Sequence, residues 1–153
     1  MISSNLEYIE FMNLAISLAE NAGEDVPIGA IVVNAEGKII GKGVNTRTTL
    51  GDPVGHAEIN AIIEAGKNIG NWRLDGATLF VTLEPCPMCA GAISQTRISR
   101  LVFGAFDEKS GAVGSLWDIL RDQRAIHKVE VISGVEAEKC AALLTNFFNK
   151  QTR

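Results

Sequence analysis

The chain has 153 residues, of which 46% are hydrophobic and 21% charged, and its net charge is −4. A chain of this size buries about 68–70% of its unfolded surface as one domain without disulfide staples, here residues 1–153. The acidic balance argues against a generic polyanion binder and the short apolar runs against a membrane span; three cysteines behind an acidic, amphipathic start, not a basic leader, predict a cytoplasmic chain.

Leu6 to Ala22 carries apolar residues at helical spacing, with Ser3, Ser4 or Asn5 placed to cap the helix and Gly23 to stop it. Pro27 to Asn34 is β-rich, Ala35 to Lys38 reads as a turn, and Lys38 to Asn45 continues as a second strand, which predicts a hairpin. Thr46 to Gly55 is a polar loop containing Gly51-Asp52-Pro53. His56 to Ile69 is helical, with Ala57, Ala61, Ile62 and Ala65 as its buried stripe. Ala77 to Leu83 is a strongly apolar strand of the kind covered on both faces. Pro87 to Thr96 predicts a helix, Arg100 to Ala105 a strand, Phe106 to Gly114 a loop and Ser115 to Leu120 a short helix. Val129 to Ile132 is the last strand and Val135 to Phe148 the last helix. Strands alternating with helices imply parallel pairs joined by crossovers. The expected architecture is α/β: a three-layer α/β/α domain with a five-stranded mixed sheet. In it the initial hairpin supplies an antiparallel edge and the remaining strands run parallel.

Two short stretches carry the chemistry: His56-Ala57-Glu58 and, after a further 26 residues, Pro85-Cys86-Pro87-Met88-Cys89. One imidazole and two thiols give a metal three protein ligands and leave a position open, which a hydrolytic zinc site needs and a structural one does not. Both stretches fall at helix starts, where the dipole and free N–H groups favour thiolate over thiol at Cys86 and Cys89. Pro87 suits the first helical position, where a missing N–H is no loss. His56 and Glu58 lie roughly 200° apart around a helix, so both reach one metal only if it sits over the helix end. Water in the open position would have its pKa lowered to about 7, and Glu58 would accept its proton. A C-x-x-C alone also fits a redox pair or half a structural zinc site; the combination with His-x-Glu favours catalysis. Cys140 lies in an apolar-periodic stretch and reads as a core residue, and His127, in a basic connecting segment, as a solvated one.

These residues resemble the zinc-dependent nucleoside and nucleobase deaminases, whose signature is H-x-E followed by P-C-x-x-C. The likeness extends through Val26-Pro-Ile-Gly-Ala30, Gly43-Val-Asn45, Val81 to Ala92, Arg97 to Arg100, Val102 to Ala105 and Lys109 to Ser115. In these blocks the chain looks like the bacterial tRNA-specific adenosine deaminases. The resemblance implies a cytidine deaminase-like fold, one Zn2+ per subunit on His56, Cys86 and Cys89, and Glu58 as proton shuttle. It implies hydrolysis of the wobble adenosine, position 34 of a tRNA anticodon, to inosine. It also implies a homodimer that binds an anticodon stem-loop, and no DNA partner. Asn45, Ala57, Leu83, Glu84, Pro85 and Phe148 match positions that contact the target nucleoside or the loop. An unpaired, splayed-out base suits this chemistry, because a stacked base hides the reacting carbon. Phe106 and Phe148 could stack on neighbouring bases, although Phe147 and Phe148 at helical spacing are more often core. The basic residues between Arg97 and Lys128 are candidates for phosphate contacts. The alternative readings are a deaminase of free guanine, cytosine or a nucleoside, a non-catalytic zinc module, and an inactive editing subunit. The intact His/Glu/Cys/Cys set speaks against the last two.

Overall fold

A computed structural model describes residues 4–151. In chain order they form α1 (Asn5–Glu20), β1 (Gly29–Val33), β2 (Ile39–Val44), α2 (Ala57–Ile69), β3 (Thr78–Leu83), α3 (Pro87–Gln95), β4 (Arg100–Ala105), β5 (Glu130–Ile132) and α4 (Ala137–Gln151). Ser4 caps α1 in a reciprocal box: its side chain accepts from the Glu7 N–H and the Glu7 carboxylate accepts from the Ser4 N–H. Ser3, the other serine in position to cap, lies outside the described residues.

The five strands lie in the order β2-β1-β3-β4-β5. β1 pairs antiparallel with both β2 and β3, while β3 pairs parallel with β4, and β4 with β5. β1 is therefore the one reversed strand, and β2 runs in the same direction as β3. This modifies the expected arrangement, in which the hairpin puts its antiparallel strand at an edge. The reason is burial: all five residues of β1 are buried, whereas β2 exposes Lys42 and suits the rim.

Alternation along the strands builds two cores. Ala30, Val32, Leu79, Val81, Leu101 and Phe103 face the layer of α2 and α3. Ile31, Val33, Phe80 and Val102 face Tyr8, Met12, Ala15 and Ile16 of α1 and Cys140 of α4. Cys140 is thus a core residue, as its periodicity implies. Gly41 and Gly43 let α2 lie directly on β2; a Cβ at Gly43 would come within 2.6 Å of the Ala61 nitrogen. That close approach fixes where the start of α2 sits above the sheet.

The segment 115–120 is not a helix. Turns and an isolated bridge between Val113 and Asp118 take its place, and the Leu116 and Trp117 N–H groups return to the Gly111 carbonyl. Nothing in the described residues forms a helix long and apolar enough to cross a membrane.

Candidate active site

The C-terminal ends of β2, β3 and β4 open on the same edge of the sheet, together with the entry to β1. Open α/β sheets place ligands in such a crevice. A cavity of about 540 Å³ lies there, and residues from every one of these connections line it: Val26 and Ile28, Asn45 and Arg47, Leu83 and Glu84, Phe106 to Ser110. α2 contributes His56 and Glu58, α3 contributes Cys86, and α4 closes one side with Leu144 and Phe148.

His56 and Cys86 are the N-cap residues of α2 and α3, both in extended conformation and neither using its side chain as a cap. Their carbonyls open the helices, accepting from Asn60 and Ala90, while the side chains remain available for other work. Pro87 occupies the first turn of α3 as expected. The N-cap position also resolves the helical-wheel difficulty with His-x-Glu: His56 stands outside the helix and Glu58 inside it.

The His56 Nδ1 lies 3.5 Å from the Cys86 sulfur and 3.4 Å from the Cys89 sulfur. All three donor atoms lie within 4.8 Å of one another. A tetrahedral zinc with ordinary Zn–N and Zn–S bonds has N···S edges of about 3.6 Å, so the donor set fits that ion in both chemistry and spacing. Hydrogen bonding from Cys89, opposed by burial and helped by His56, pulls the Cys86 thiol down to about 4. Cys89 is pushed up by its hydrogen bond with Cys86 and by burial, and the Cys86 hydrogen bond raises His56. Glu58 is 4% exposed, and burial raises its carboxyl to about 7.

The remaining predicted residues divide. Asn45, Leu83, Glu84 and Phe148 line the cavity, whereas Ala57 and Pro85 are buried beside it. Asn45 is buried, and its Oδ1 has no hydrogen-bond partner. Phe148 is half exposed, edge-on to Phe147, and not the core residue its spacing suggests. Phe106 is exposed and packs edge-on against Phe103. The candidate basic face does not assemble: Lys109 lines the cavity, but Arg100, Arg121 and Arg124 pair with Glu130, Asp118 and Asp122. Arg97 folds back onto the carbonyls of Ser94 and Gln95. His127 is half-buried, its Nε2 2.7 Å from the Ile98 carbonyl, and is far from a purely solvated role. Sequence reasoning missed Arg47 and the buried Asp25, since a polar loop gives no periodic signal to mark them.

The family model for the cytidine and deoxycytidylate deaminase zinc-binding region matches residues 6–105. The chain belongs to this zinc-binding deaminase family, and it is a hydrolytic deaminase that uses one zinc per subunit. Its similarities are more particular than that. It is 49% identical over 142 residues to the tRNA-specific adenosine deaminase of Bacillus subtilis (strain 168), covering 92% of this chain and 88% of the relative. It is 48% identical to the Haemophilus influenzae protein of the same name, covering 93% of this chain and 83% of the relative. A structure solved in a study of A-to-I editing by tRNA:A34 deaminases superposes with a TM-score of 0.84 at 44% identity, covering 88% of this chain and 99% of the other. Within the deaminases, the chain belongs to the tRNA-specific adenosine deaminase family.

Proposed function

We propose that this protein hydrolyses the wobble adenosine, position 34 of a tRNA anticodon, to inosine and ammonia. The observation that carries the reading is a buried carboxylate, Glu58, set beside three donors at tetrahedral zinc spacing in a cavity of about 540 Å³. The relatives named for the tRNA reaction supply the substrate class.

His56, Cys86 and Cys89 would hold the zinc. When bound, zinc supplies the Lewis acidity that makes water a nucleophile near neutral pH. Glu58 takes one proton of the water and delivers it to the purine ring. It then takes the second, from the hydroxyl left on the attacked carbon, and passes it to the departing amine, which leaves as ammonia; a carboxyl raised to about 7 suits both directions. The unpaired Asn45 Oδ1 offers an acceptor to a donor on the nucleoside, because a buried orphan acceptor gains most from being paired. Leu83 and Glu84 form the wall on the β3 side, and the buried Ala57 and Pro85 back the pocket. Phe148 offers a ring for a neighbouring base, and Arg47 and Lys109 offer charge to phosphates.

We assign the protein to the cytoplasm, acting as a single deaminase domain and as a homodimer. Large apolar side chains remain exposed on α2, on α3 and in the segment between β4 and β5, among them Ile63, Met88, Leu116 and Trp117, and burial against another copy would remove them from water. Sedimentation of the zinc-loaded protein should give twice the chain mass.

The substrate assignment is tested by incubation with an anticodon stem-loop carrying adenosine 34, beside free adenosine, cytidine and guanine. Inosine formed in the RNA alone is the expected result. Ammonia released from guanine alone would overturn it.

A further inference from the structure

Glu58 is not the only carboxylate buried near the cavity; Asp25 and Glu84 are each 2% exposed. We infer that Asp25 and Glu84 are positioning residues, each holding one of the two loops that form opposite walls of the substrate cavity. The inference rests on the reading of that cavity as the substrate site.

The Glu84 Oε1 accepts from the Asp107 N–H at 3.0 Å and from the Ser115 hydroxyl. Its Oε2 accepts from the Val113 and Ser115 N–H groups, both at 3.0 Å. An ionised carboxylate has about four acceptor sites, so all are taken and none is left for a nucleoside. The four donors span residues 107–115, the loop whose beginning walls the cavity and carries Lys109. Gly111 lies against the same carboxylate so closely that a Cβ there would occupy its space.

Asp25 does the equivalent on the other side. Its Oδ1 accepts from the Thr48 N–H at 2.8 Å, and its Oδ2 from the Thr49 N–H at 2.9 Å and the Thr49 hydroxyl. This holds the turn that carries Arg47 into the cavity, next to Val26, the neighbour of Asp25. Every partner of both carboxylates is a donor. An amide in either place would turn an N–H toward another N–H, so the charge is needed for its all-acceptor character.

Each wall contains one tryptic bond, Arg47–Thr48 and Lys109–Ser110, and these report on the two anchors separately. In Glu84→Gln, cleavage after Lys109 should quicken while cleavage after Arg47 stays slow; in Asp25→Asn the pattern should reverse. Zinc content should match the parent in both. On the stem-loop, KM should rise about tenfold with a smaller change in kcat, as expected when a buried network is broken without touching the proton carrier. If an amide variant does not fold, Ser115→Ala and Thr49→Val each remove one hydroxyl donor and should give the same local pattern more weakly. Accelerated cleavage at all sites alike would reduce both residues to general structural roles and overturn the inference. Unchanged loops with a large loss of kcat would also overturn it, by making them direct contacts. The proteolysis needs no substrate, so its outcome is independent of whether the RNA reading holds.

Discussion

Glu58 combines near-complete burial with a place in the first turn of α2, two residues after the N-cap His56, so it can hand protons on without joining the donor set. Glu58→Ala should therefore retain zinc, measured by elemental analysis, and lose about 10²–10⁴-fold in turnover; unimpaired deamination would refute its role. Cys140 makes a different prediction. Burial pushes its thiol up to about 12, against about 8.5 in an unfolded chain. A raised value favours the protonated, folded form, so its contribution is complete below about 8.5 and is lost as pH rises from there towards 12. Denaturation midpoints measured from pH 7 to 11 should fall less steeply in Cys140→Ala than in the parent; identical slopes would show that the thiol is not linked to folding. At this scale the ligands and the proton carrier were legible in the sequence, because spacing and residue type express them directly. Asp25 and Arg47 were not, since what they do depends on a loop brought back to them from elsewhere in the chain.

Among the elements, α2 owes its position to the two glycines beneath it. Gly43→Ala would drive a methyl group into the α2 backbone. It should cost about 1–3 kcal/mol of stability in urea denaturation, as overpacked cores do, and should weaken zinc retention by lifting His56. Stability equal to the parent would mean that α2 can shift without penalty. Most elements follow from periodicity within a residue or two at each end. The helix expected over 115–120 fails for a reason that local pattern does not contain: the N–H groups of Leu116 and Trp117 bond to the Gly111 carbonyl and that of Ile119 to the Ala112 carbonyl, in a loop that Glu84, some thirty residues earlier, holds in place. The reversed strand β1 fails similarly, because only the assembled sheet reveals that β3 pairs with it and not with β2.

For the whole molecule, two apolar cores on opposite faces of the sheet form without His56, Cys86 or Cys89 among their members. Removing zinc with a chelator should abolish activity and lower the melting temperature, yet leave the far-ultraviolet circular dichroism of the α/β fold. Collapse to an unfolded chain would place the protein with small metal-nucleated domains instead.

The reversed β1 has one further consequence, for the order in which the chain acquires its parts. With β1 lying between β2 and β3, α1, β1, β2 and α2 form one continuous block, and β3 is the first element of everything that follows. His56 belongs to the earlier block, Cys86 and Cys89 to the later. During synthesis, no ligand set exists until β3 has docked along β1, so zinc capture reports that the two blocks have joined in register.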